Sequence, residues 1–160
     1  MNQNQQIQTP EQAAKILRLI WGMMLLGQLA FFAVALVVSF NGEPATFESV
    51  KIFYIIAVVL GLMSVPMGSF IRMQIYKKHW VNNAVTPQGY FIGSLLSMAI
   101  IEGAALFSIV VLFLHGQIGP TLALPIALMG VFAMNYPNGK PMQPSNPDFI
   151  NNQPPDLLKK

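Results

Sequence analysis

The chain has 160 residues, of which 54% are hydrophobic and 9% are charged, whereas a water-soluble domain carries about 25% charged residues. Its net charge is +3, and no basic patch with interleaved aromatic residues indicates a nucleic-acid partner. Cysteine is absent, which excludes disulfides, a thiol nucleophile and a thiolate metal site. The composition therefore predicts an integral membrane protein with the lipid bilayer as its surroundings.

A polar N-terminal segment, residues 1–15, precedes the first apolar segment. It is not basic, and no small-residue cleavage site follows, so the first apolar segment is predicted to be retained as a span. Four spans are predicted, at 16–40, 50–71, 90–114 and 118–136. At a rise of about 1.5 Å per residue, the first and third reach roughly 37 Å, enough for a hydrocarbon core of about 30 Å.

The second and fourth predicted spans contain proline. Pro66 removes a backbone donor within the second span and predicts a kink that neighbouring helices absorb. Pro120 and Pro125 stand near the start of the fourth, which must thin the bilayer, begin at Ile118 or be partly re-entrant. The predicted fold is an all-α integral membrane protein, with four transmembrane helices arranged as two tandem helical hairpins.

Lysine and arginine are concentrated in alternate loops. They precede the first span, separate the second from the third and follow the fourth, at Lys15, Arg18, Arg72, Lys77, Lys78, Lys140, Lys159 and Lys160. Loops rich in these residues stay cytoplasmic. Both termini are therefore predicted to be cytoplasmic, in a plasma membrane that would be the inner membrane of a bacterium.

The last segment, 137–160, is rich in proline, asparagine and glutamine and lacks the apolar residues of a core. This composition favours extended or disordered backbone. We expect a flexible cytoplasmic tail, or alternatively a segment that docks on a partner.

Glu102 is a carboxylate near the middle of the third span, where a charge costs roughly 2.5–3.5 kcal/mol on insertion scales. Gln28 occupies a similar depth in the first span. Residues at spacings of three or four share one helical face with Glu102, namely Ser94, Met98, Ala105 and Ser108. Two interpretations stay open: Glu102 is a structural group hydrogen-bonded to Gln28, or it is an ion-binding carboxylate, with Gln28 part of the same site.

Two stretches resemble the membrane-rotor proteolipid of rotary ATPases, subunit c. The first comprises 9–16 (TPEQAAKI) and 25–32 (LLGQLAFF), and the second comprises 86–89 (TPQG) and 102–107 (EGAALF). The resemblance is to a duplicated-hairpin form with permuted helix order. It implies that Glu102 is the ion carrier and Gln28 its silenced duplicate. The implied ion is a proton, and sodium is disfavoured because no serine is adjacent to Glu102 in the helical turn.

The functional alternatives differ in class. The first is a noncatalytic membrane subunit or scaffold of a larger complex, the second a rotor-like proton-translocating subunit, and the third a small proton-coupled carrier. We expect a homo-oligomer or a membrane-complex subunit, and we find no enzyme motif and no requirement for a cofactor. His79 and His115 are predicted on opposite membrane faces, so they do not share a metal.

Overall fold

The computed structural model describes residues 9–41, 45–116 and 119–143, and these are mostly helical. The helices are α1 (Pro10–Asn41), α2 (Phe47–Lys78), α3 (Pro87–His115) and α4 (Ala123–Met134). A small hairpin of β1 (Trp80–Val81) and β2 (Ala84–Val85) joins α2 to α3, and 3-10 turns lie at Pro120–Leu122 and Lys140–Met142.

The helices α1 and α3 begin in the same way, at a threonine followed by proline. The hydroxyl of Thr9 accepts from the backbone N–H of Gln12, and that of Thr86 accepts from Gly89, each at 3.2 Å. A threonine cap satisfies an N–H that the first helical turn leaves without a partner, and proline at the first position needs none. The Thr-Pro pair therefore sets the start of each helix.

The helices α1, α2 and α3 are long and apolar enough to cross a membrane, which agrees with the predicted class. Both α1 and α2 extend beyond their predicted spans, because α1 already begins at Pro10 and α2 continues through Pro66 to Lys78. Hydropathy marks the part of a helix that suits lipid, whereas helical hydrogen bonds continue into polar residues. The outward faces of α1 and α2 expose many large apolar side chains, as lipid-facing helices do.

The centre of the bundle is α3, which packs against α1, α2 and α4, whereas α1 and α2 hardly touch each other. The prediction of two tandem hairpins is therefore wrong in its packing, since the first pair of helices does not form a packed hairpin. Small residues on α3 explain its position, because they admit neighbouring backbones. At one close contact between α2 and α3, a Cβ added to Gly68 of α2 would lie 3.2 Å from the backbone oxygen of Ser97.

The helices α1 and α3 run in the same direction. One buried cluster joins Leu17 of α1 to Tyr90 at the start of α3. A second cluster joins Ala35 of α1 to Ile109 near the end of α3. The two helices are therefore parallel and nearly in register along the bundle.

The fourth segment is helical over only part of its length. The 12 residues of α4 rise about 18 Å. Of the two prolines predicted to disturb its start, Pro120 begins the 3-10 turn before α4 and Pro125 lies in the first turn of α4. Nevertheless, Thr121 bonds to His115 at the end of α3, and the N–H of Gly139 bonds to Tyr90 at its start. The segment from Thr121 to Gly139 thus runs antiparallel along α3, with non-helical backbone after Met134.

The predicted disordered tail begins too early. Residues 137–143 are packed on the bundle, where Pro137, Gly139 and Met142 are buried. The carbonyl of Pro137 accepts from the side chain of Arg18 at 3.2 Å. The prediction of disorder is wrong for these residues, and the remainder of the tail, 144–160, lies outside the described residues.

Candidate functional site

Gln28 and Glu102 lie at the same level of the bundle. Leu25, three residues before Gln28, packs against the cluster that contains Met98, and Phe32, four residues after it, packs against the cluster that contains Ile109. Because α1 and α3 are parallel, this arrangement sets position 28 level with position 102. We call these two residues the mid-bundle polar layer.

The side chain of Gln28 is fully buried, with 0% of its surface exposed. Neither its Nε2 nor its Oε1 has a hydrogen-bond partner among the described residues. A buried amide without a partner costs about 1–3 kcal/mol in proteins. Among the described residues, only Ser39 Oγ shares this lack of a partner, and Gln28 leaves two such atoms.

Glu102 is half-buried at the rim of α3, beside the exposed Ala99 and Gly103. Within the described ranges it makes no hydrogen bond and no ion pair. The predicted structural hydrogen bond between Gln28 and Glu102 is therefore not formed. The carboxyl lies where the buried interior of the bundle meets its apolar outer surface.

The predicted companions of Glu102 are all buried and face other elements. The hydroxyl of Ser94 lies 2.7 Å from that of Tyr76 on α2, and Ser108 donates to the carbonyl of Ala105 in its own helix. Met98 and Ala105 belong to apolar clusters. The residues predicted to share one face with Glu102 therefore do not form one site with it. Glu102 lies at the exposed rim of that face, and the two serine hydroxyls bond to other groups.

Metal ligation has no support in the described part of the chain, which contains no group of three histidine, aspartate or glutamate side chains. His79 lies next to the start of α3, where its carbonyl accepts from Thr86, and His115 is the last residue of that helix. His79 and His115 therefore lie at opposite ends of α3, as the prediction of opposite membrane faces requires.

Sequence reasoning missed a cavity of about 410 Å³ at the end of the bundle that carries most of its basic residues. We call it the basic-end cavity. Its wall is formed by α2, α3 and the non-helical segment after α4, and its polar residues include Arg72, Tyr76, Ser94 and Lys140. The sequence feature that could have indicated this cavity is Pro137. A proline interrupts helical structure, and within a membrane irregular backbone has to be buried in protein or line a cavity.

The guanidinium of Arg72 points to the amide of Asn135, with Nη1 and Oδ1 3.5 Å apart. On the neighbouring surface, the Arg18 guanidinium lies 5.5 Å from the ring centre of Tyr136, a distance typical of a cation–π contact. Both arginines thus hold the segment after α4 against the bundle.

Comparisons with known proteins return nothing for this chain: no family model, no curated protein and no solved structure matches it.

Proposed function

We propose that the chain is a noncatalytic membrane subunit in which Glu102, together with Gln28, binds and releases a proton within the bilayer. The observation that carries this proposal is the fully buried amide of Gln28, without a partner among the described residues, level with the carboxyl of Glu102. A bundle held by packing alone would be more stable with an apolar side chain at this depth. Polar groups inside membranes are commonly functional.

A proton is the favoured ion because no hydroxyl lies next to Glu102 in the helical turn, since Ser97 and Ser108 are five and six residues away. The hydroxyl of Ser94 lies against that of Tyr76, and Ser108 donates to the carbonyl of Ala105 in its own helix. A carboxyl at the rim can be protonated while it faces lipid and ionised when water or a cation reaches it.

The membrane arrangement is part of the proposal. We place the segment from Thr121 to Gly139 as a fourth crossing, in which the non-helical part is tolerated because it is buried on α3 and lines a cavity. The basic end of the bundle is cytoplasmic on the positive-inside rule. Lipid or further subunits cover the exposed apolar faces of α1 and α2.

A rotor-like role is a second candidate, favoured by the position of Glu102 at the exposed rim of α3. There a cationic residue of a partner subunit could reach the carboxyl, as proton translocation by a rotor requires. The driving energy would be about 2.3 kcal/mol per proton per 100 mV.

Carbodiimide labelling tests the proposal, since the reagent modifies protonated carboxyls in apolar surroundings. The full chain in detergent is labelled at several pH values and the adduct is mapped by mass spectrometry. Glu102 should be labelled at mildly acidic pH and lose reactivity as the pH rises. Glu48, whose side chain is 79% exposed, is the internal reference for a carboxyl in contact with water.

Two results would contradict the proposal. A Glu102 that is unreactive at every pH is not a proton site, and one whose labelling equals that of Glu48 at every pH is not set apart by its apolar surroundings. The variant Glu102→Gln controls for labelling elsewhere. Protection by sodium would instead assign the site to that ion, and the native mass separates a closed ring, expected of a rotor, from a smaller assembly.

A further inference from the structure

The basic-end cavity combines cations, hydroxyls and an apolar floor in one volume. Arg72 and Lys140 supply the positive charges, and the buried hydroxyls of Tyr76 and Ser94 form a polar wall. Its volume of about 410 Å³ lies within the range of about 300–1,000 Å³ that is usual for small-molecule sites. The cavity is therefore large enough for a phosphate group with part of the molecule that carries it.

The two cations are not neutralised by the residues around them. No aspartate or glutamate lines the described wall of the cavity, and the contact of Arg72 is with the neutral amide of Asn135. The ion pair that the described residues do form, between Lys51 and Glu48, lies at the opposite end of the bundle. A guanidinium is always charged in proteins and its geometry suits phosphate, so a half-buried Arg72 favours an anionic ligand.

The remainder of the wall suits an apolar group. Met98 is buried at the floor, whereas Met73 and Met134 have 42% and 86% of their surfaces exposed and flank the cavity between α2 and α4. Methionine side chains are flexible and adapt to irregular apolar ligands. A molecule with an anionic head and a hydrocarbon part would thus contact both kinds of surface.

We propose that the basic-end cavity binds the phosphate group of an anionic amphiphile, with Arg72 as the main cationic partner and Lys140 as the second. The position fits this chemistry, because Arg72 and Lys140 lie at the ends of the apolar segments, the level at which phospholipid headgroups meet a membrane protein. The proposal is independent of proton binding at Glu102. It makes the segment after α4 part of a binding site.

Calorimetric titration of the full chain in a nonionic detergent tests the proposal. The ligands are dioctanoyl phosphatidylglycerol, dioctanoyl phosphatidylcholine and inorganic phosphate. Phosphatidylglycerol should bind about tenfold or more tightly than phosphatidylcholine, because only the former leaves a net negative charge for Arg72 and Lys140.

Variants assign the site. Arg72→Gln should weaken phosphatidylglycerol about tenfold to a hundredfold, the loss expected for a charge-assisted hydrogen bond, and Arg72→Lys should recover part of the affinity. Lys140→Gln should weaken it about threefold or more, whereas the matched control Lys78→Gln should change it less than about twofold. Lys78 is an exposed lysine at the same end that does not line the cavity.

Each outcome decides the question. If inorganic phosphate competes only weakly with phosphatidylglycerol, the ligand of the cavity is a lipid headgroup. If inorganic phosphate alone binds as tightly as phosphatidylglycerol, the ligand is free phosphate at the same site. Equal binding of both lipids, or equal losses for Lys140→Gln and Lys78→Gln, would overturn the proposal in favour of general attraction to a basic surface. Unchanged affinity of Arg72→Gln for phosphatidylglycerol, with an unchanged thermal transition, would remove Arg72 from the site.

Discussion

Replacing Gln28 with methionine tests whether the mid-bundle polar layer stabilises the fold or reduces its stability. The side chain has no exposed surface, and neither of its polar atoms has a partner among the described residues. Methionine has a similar length and flexibility, so it fills the same space without burying an amide. The variant should therefore raise the free energy of unfolding by about 1–3 kcal/mol, the cost of an unsatisfied buried amide.

The assay is reversible unfolding in mixed micelles by a denaturing detergent. The exposed Gln74 of α2 provides a matched control, because Gln74→Met should change the free energy of unfolding by less than about 0.5 kcal/mol. A Gln28→Met variant that loses more than about 1 kcal/mol would refute the reasoning, since the amide would then have a stabilising partner. A stabilised variant with altered carbodiimide labelling of Glu102 would show that Gln28 serves the site at the expense of stability.

Two other predictions concern the packing around α3. Tyr90→Phe removes the hydroxyl that accepts from the N–H of Gly139, so it should lower the free energy of unfolding by about 1–3 kcal/mol. It should also speed hydrogen exchange at Gly139, measured by mass spectrometry. The control Tyr54→Phe, at the other end of the bundle, should leave that exchange unchanged. Gly93→Ala would bring a Cβ within 2.7 Å of a tyrosine ring on α2 and should lower the free energy of unfolding by about 1–3 kcal/mol. Gly103→Ala, with no atom within 4 Å of the added group, should raise it by up to about 1 kcal/mol, and equal losses for the two glycines would contradict this packing.

The helices of the membrane core were largely predictable, because the signal is local. A run of apolar residues such as 90–114 has few alternatives to a membrane helix, and α3 covers it fully. The ends were less predictable. Helical hydrogen bonding continues beyond the apolar part, so α2 reaches Lys78, and two asparagines with positive φ, Asn82 and Asn83, turn the chain into a hairpin before α3.

The arrangement of the helices could not be deduced from their order. Neighbours in sequence usually pack together, but here α1 packs on α3 rather than on α2. Proline-rich composition likewise predicted disorder after Pro137. The order of residues 137–143 depends on long-range bonds, from Arg18 to the carbonyl of Pro137 and from the N–H of Gly139 to Tyr90, which no local pattern encodes.

The candidate sites were predictable to different extents. The matching depths of Gln28 and Glu102 follow from the sequence, because both lie mid-span. Their different burial depends on which face of each helix meets a neighbour. The basic-end cavity was not predicted at all, since it requires α2, α3 and the segment after α4 to meet.

Gln28 and Glu102 differ in burial, and this difference tests whether the two positions are duplicates of one site. Position 28 is enclosed, whereas position 102 lies at a rim that lipid or a partner can reach. Moving the carboxyl, in the double variant Gln28→Glu with Glu102→Gln, should therefore abolish carbodiimide labelling at both positions, because the reagent cannot reach an enclosed side chain. It should also lower the free energy of unfolding in the assay used for Gln28→Met. If position 28 is labelled at the rate of Glu102 in the natural chain, the two helices are equivalent, as a duplicated rotor subunit requires. If position 28 is not labelled, Glu102 is the sole working carboxyl of the mid-bundle polar layer.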